Sequence, residues 1–220
     1  MELSDTATLT DLRKQFKRRV RQYAATTSSA IEEETSPLFS DNAIADAINK
    51  ARRMLARILP SAKKWCVREA VLLTAEDIQE YGLDYEVMEI IAVQWDVTSD
   101  GKRNENTVDA DDVKTRAMEE ACIVDPFNTP SITNPKYRIA NKGIRLIVST
   151  DGTVTKDKYV RVEYIGEPNT LVAGSYSGWP NTLNDVCIDI GIKILAAEDL
   201  PQVAAVASES AKSILLSERV

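Results

Sequence analysis

The spacing of apolar residues changes along this chain, and that change limits its fold more than any other feature. Near both ends, apolar side chains recur every three or four residues. Through much of the middle, from about 65 to 180, they alternate every two. The first period lines up one side of a helix, and the second lines up one face of a strand. The chain is therefore expected to run helices, strands, helices.

Residues 8–25 predict the first helix. Leu9, Leu12, Phe16, Val20 and Tyr23 form its apolar stripe, while Lys14, Lys17, Arg18 and Arg21 fall on the opposite side. A loop follows over 26–39, charged by Glu32, Glu33 and Glu34 and broken at Ser36-Pro37. Ser40 then stands at an N-cap position with Asp41 in the first turn. The helix it opens is expected to run to about Leu59 and stop at Pro60. Ile44, Ile48, Ala51, Leu55 and Ile58 make a narrow seam along it for packing against another helix.

In the middle, Val67, Val71 and Leu73 fit one face of a strand, with Ala70 and Leu72 on the other. Met88 to Val97 is a β-branched and aromatic run. Val113, Ala117 and Ala121 predict a helix over 109–121. Gly143–Ser149 and Lys158–Ile165 read as two strands joined at Asp151-Gly152 as a hairpin.

The chain closes with two more predicted helices, 182–199 and 201–216. Thr182 and Asp185 offer a weak capping pair for the first of them. That helix is apolar on more than one side, with Leu183, Val186, Ile190 and Ile194 on one and Ile188, Ile192 and Leu195 on another. Such a helix lies among several neighbours, and Gly191 within it suggests a close backbone approach. The expected fold class is α+β: one domain over 1–220, with a helical bundle from 8–60 and 182–217 and a β-rich insertion at about 65–180.

The chain has no histidine, and Cys66, Cys122 and Cys187 are widely spaced. Ser-His-Asp and Cys-His chemistry and His-ligated metals are excluded, and nothing resembles a zinc knuckle or a disulfide framework. The glycine-rich phosphate loops are missing as well. We expect no catalytic residue, cofactor or metal. The net charge of −7 argues against a generally basic nucleic-acid binder. No apolar run is long enough to span a bilayer, and the acidic start, Met1 to Asp5, lacks the character of a signal peptide. The expected setting is a cytoplasm, with no membrane partner.

Several short fragments occur in a telling order. Thr10-Asp11-Leu12-Arg13 leads into the basic helix, and Phe39-Ser40-Asp41 into the helix with Ile48-Asn49-Lys50-Ala51. Glu80-Tyr81-Gly82-Leu83-Asp84 precedes Ile90-Ile91-Ala92-Val93. Asn134-Pro135-Lys136-Tyr137-Arg138 precedes Ile144-Arg145-Leu146, and Val160 to Pro168 precedes the last helices. This succession, from about 8 to 216, resembles the head–tail adaptor (connector) proteins of tailed bacteriophages, including the tail adaptors of short-tailed phages. Each fragment alone is unspecific, and their order carries the likeness.

The resemblance implies a structural virion protein at the head–tail interface, assembled in the host cytoplasm. It would form a homo-oligomeric ring, expected to be a dodecamer, between the portal protein and the tail proteins. Genome DNA would pass through the channel without specific binding. Candidate interface residues are Lys14, Lys17, Arg18, Arg21, Glu32, Glu33, Glu34, Ile188, Ile192 and Leu195. The alternative is a nucleic-acid-binding protein using the basic N-terminal helix. A carboxylate enzyme is a third reading, and it would need two facing carboxylates in a deep pocket.

Overall fold

A computed structural model describes residues 7–26, 39–75, 78–96, 107–125, 129–131, 134–140, 143–147 and 158–217. Its elements are, in order, α1 (Leu9–Thr26), α2 (Asp41–Ile58), α3 (Pro60–Lys63), a 3-10 turn (Lys64–Cys66), β1 (Val67–Leu73), β2 (Glu80–Gly82), β3 (Val87–Asp96), β4 (Thr107–Asp109), β5 (Asp111–Asp112), α4 (Arg116–Val124), β6 (Lys136–Ala140), β7 (Gly143–Ile147), β8 (Tyr159–Gly166), α5 (Asn181–Asp199) and α6 (Pro201–Ser217). The fold class is α+β. The chain divides into two compact units, residues 1–65 with 168–220, and residues 66–167, where the sequence suggested one domain. The second boundary falls at Pro168, well before 180.

In the helical unit, α1 is capped by a reciprocal pair. Asp11 accepts from the Thr8 amide at 3.2 Å and hydroxyl at 2.6 Å, and Thr8 Oγ1 accepts from the Asp11 amide at 3.2 Å. Ser40 caps α2 as expected, its Oγ accepting from the Ala43 amide at 3.2 Å. The expected Thr182–Asp185 cap does not form. Pro180 holds the N-cap position without a side-chain bond, and Asp185 is engaged by Arg19 instead.

The four long helices share one core. Leu9, Leu12, Phe16 and Val20 of α1 meet Ile44 and Ile48 of α2, Ile188 and Ile192 of α5, and Val203 and Ala207 of α6. Gly191 marks the tight point: a Cβ there would lie 3.3 Å from Phe16 Cε2 and 3.6 Å from the Ala47 carbonyl carbon. Residues 168–180 are bound into this unit. Asn49 exchanges two hydrogen bonds with the Leu171 backbone, at 2.8 and 3.1 Å. Arg52 donates to the Ser177 carbonyl at 2.9 Å and stacks over Trp179 at 4.7 Å.

The β unit holds two four-stranded sheets, ordered β1-β8-β3-β4 and β2-β7-β6-β5, antiparallel except for β5 with β6. Alternate residues of both meet in one core: Val93, Trp95, Val160, Val162 and Tyr164 from the first, Tyr137, Ile144 and Leu146 from the second. The expected hairpin is corrected here. β7 pairs with β6 and β2, while β8 is central between β1 and β3, so the two strands lie in different sheets. The residues Asp151-Gly152 lie outside those described. Gly143 is fixed by its neighbour, since a Cβ there would sit 1.9 Å from the Tyr81 carbonyl oxygen.

The helix expected over 109–121 starts later. Val113 donates its amide to the Tyr137 carbonyl at 2.7 Å, which keeps that stretch extended, and Thr115 caps α4 through the Met118 amide at 3.2 Å. Ala117 and Ala121 are exposed, and the buried residue is Glu119. It accepts from Arg138 Nε at 3.0 Å and Arg145 Nε at 2.9 Å. Two guanidinium partners compensate a carboxylate that would otherwise be costly to bury.

Candidate functional site

The cations of α1 divide into two kinds. Lys17 Nζ bonds Asp41 Oδ1 at 2.7 Å, and this bond holds the Asp41 carboxyl below the usual range. Arg19 turns inward. Its Nη1 donates to Asp189 Oδ1 at 2.9 Å, and its Nη2 lies 2.6 Å from Asp185 Oδ1. The Tyr23 hydroxyl donates to Asp189 Oδ1 at 2.8 Å, and the Ser210 hydroxyl to Oδ2 at 2.7 Å. One carboxylate at 0% exposure thus ties α1, α5 and α6 together.

Burial pushes the Tyr23 phenol up, helped by its bond to Asp189 and that residue's charge, although the nearby Ser210 hydroxyl and the charge of Arg19 act the other way. Burial also pushes the Asp185 carboxyl up; Arg19 opposes this and Asp189 adds to it. Burial works against the Arg19 charge, but the bond and the charge of Asp189 outweigh it. Asp185 and Asp189 are one turn apart on one helix and share Arg19. They do not face each other across a cleft, as a carboxylate pair for hydrolysis would.

Lys14, Arg18 and Arg21 point to solvent, spaced at i, i+4 and i+7. Among the described residues, none of the three has a carboxylate within ion-pair reach. Glu32, Glu33 and Glu34 lie outside the described residues. Ile188 and Ile192 are corrected: both are 0% exposed within the chain's own core, so they offer nothing to a neighbour. Leu195 is half-buried against the same core.

The inward role of Arg19 was missed in the sequence, although a signal was present. Arg19 falls three residues after Phe16 and four before Tyr23, on the buried side of the helix. Asp189 sits between Ile188 and Ile190 in an otherwise apolar stretch. A buried acid there demands a partner.

Cys66 and Cys187 are buried and Cys122 is half-buried, all as free thiols. Burial pushes the Cys187 thiol up to about 12, against a smaller pull from Arg52. Among the described residues, no group of three or more acidic or thiol side chains is placed to hold a metal ion. No described helix is long and apolar enough to cross a membrane. An open groove of about 880 Å³ follows α5 and α6, lined mainly by small residues such as Ala197, Ala205 and Ser213, with Lys193 and Glu209 among them.

The fold and surface define an α+β chain whose helical unit is closed by both of its ends and carries an exposed basic stripe. No protein-family model matches the sequence, and no curated protein shows significant similarity to it.

Proposed function

We propose that this chain is a structural ring subunit of a tailed-phage virion, joining the portal to the tail and lining the DNA channel, with no catalytic role. The observation that carries this reading is the ordered run of fragments from about 8 to 216 that resembles head–tail adaptors. A helical core built from both chain ends supports it. That arrangement leaves the β unit with its own packed core, and each body can make its own contacts in an assembly. The nucleic-acid alternative has less to stand on, because Lys17 and Arg19 are already committed within the chain.

Native mass measurement of the purified protein, alone and with a portal ring, tests the proposal. A closed ring, alone or on the portal, is expected. A monomer under both conditions would overturn it.

A further inference from the structure

The charge of this chain is divided between its two units. Residues 66–167 hold twenty Asp and Glu against twelve Lys and Arg, a net of −8, more than the −7 of the whole chain. The helical unit holds fourteen acids and fifteen bases, a net of +1. Lys14, Arg18 and Arg21 stand on one exposed face of it without an ion-pair partner among the described residues. Cations spaced at i and i+4 repel one another on an isolated helix. An apposed negative surface would relieve that repulsion.

Resting on the ring reading above, we propose that the Lys14–Arg18–Arg21 face of one copy docks on the acidic β unit of the next copy. The contact is head-to-tail, the kind that closes rings. Within the β unit, many exposed carboxylates already have cations: Glu69 has Arg161, Glu80 has Arg145 and Glu120 has Arg116. Asp109 and Asp112 have none among the described residues. Asp109 accepts from Gln94 Nε2 at 3.0 Å, and Asp112 is exposed beside Tyr137. They flank the point where β4 of one sheet gives way to β5 of the other, which brings two such carboxylates to one corner. A second copy is favoured over nucleic acid as the occupant because the chain itself supplies the opposite charge.

Two full-length variants test this, R18E/R21E and D109K/D112K. Each makes the proposed contact like-charged in a homogeneous population. Each alone should lose ring assembly at least tenfold in the concentration required, while melting within a few degrees of the parent. A 1:1 mixture should recover rings containing both variants in equal number, because every contact in an alternating ring is again between opposite charges. If either variant assembles alone as the parent does, the proposed contact is overturned while the ring reading stands. The same holds if the mixture fails to assemble. If the parent forms no ring with or without a portal, the ring reading fails as well. DNA affinity of the parent with a steep salt slope, lost in R18E/R21E, would assign the face to nucleic acid instead.

Discussion

Arg19 of α1 and Asp189 of α5 are joined by a 2.9 Å hydrogen bond in which the carboxylate is fully withdrawn from water. Removing one partner of such a pair leaves a buried charge uncompensated, which costs about 3–5 kcal/mol. Arg19→Ala is expected to lower stability by about that much in denaturant unfolding. The double variant Arg19→Met/Asp189→Leu should recover part of the loss, since the buried charge is gone while Asp185 loses Arg19 and the Tyr23 and Ser210 hydroxyls lose their acceptor. A loss under 0.5 kcal/mol for Arg19→Ala would show that the pair is incidental.

Gly191→Leu places a branched side chain where Phe16 Cε2 lies 3.3 Å and the Ala47 backbone 3.6 Å from the new Cβ. Overpacking of this kind costs about 1–3 kcal/mol. Thermal unfolding should show a clear drop in Tm. An unchanged Tm would mean that α2 and α5 can move apart freely.

Burial and the charges of Asp112 and Asp111 push the Tyr137 phenol up to about 12. In the unfolded chain a tyrosine loses its proton near 10. Between these values the unfolded state binds fewer protons than the folded one, so stability falls as pH rises from about 10 to about 12. Tyr137→Phe should flatten that part of the stability profile. Identical slopes in parent and variant would exclude Tyr137 as the source.

Lys14, Arg18 and Arg21 leave a cationic stripe of only three residues, on a chain of net charge −7. Duplex DNA affinity at physiological salt should be negligible. A salt titration measures this directly: affinity falling steeply with salt, with a slope reporting several phosphate contacts, would favour the nucleic-acid alternative.

Much of the helical unit was legible in the sequence because local signals agreed. Ser40 caps α2, Pro60 ends it, and the three-and-four spacing of Leu9, Leu12, Phe16 and Val20 marks the buried side of α1. The β unit was less legible, because strand partners depend on long-range pairing that a two-residue period does not encode. β8 alternates cleanly through Val160, Val162 and Tyr164, yet nothing local says that it pairs with β1 and β3 and not with β7. Ala117 and Ala121 misled for the opposite reason: their spacing is helical, but Glu119 is the residue that α4 buries, held by arginines from β6 and β7. On the surface, the exposed cations were read correctly in Lys14, Arg18 and Arg21. Ile188 and Ile192 were not available, because one chain already encloses them.

If copies of this chain close into a ring on a portal, electron microscopy of the purified chain mixed with portal particles should show it. The expected image is a closed ring coaxial with the portal, matching its expected twelve subunits and leaving an open channel. Portals that remain bare at saturating protein, or chains bound singly to their outer surface, would contradict it.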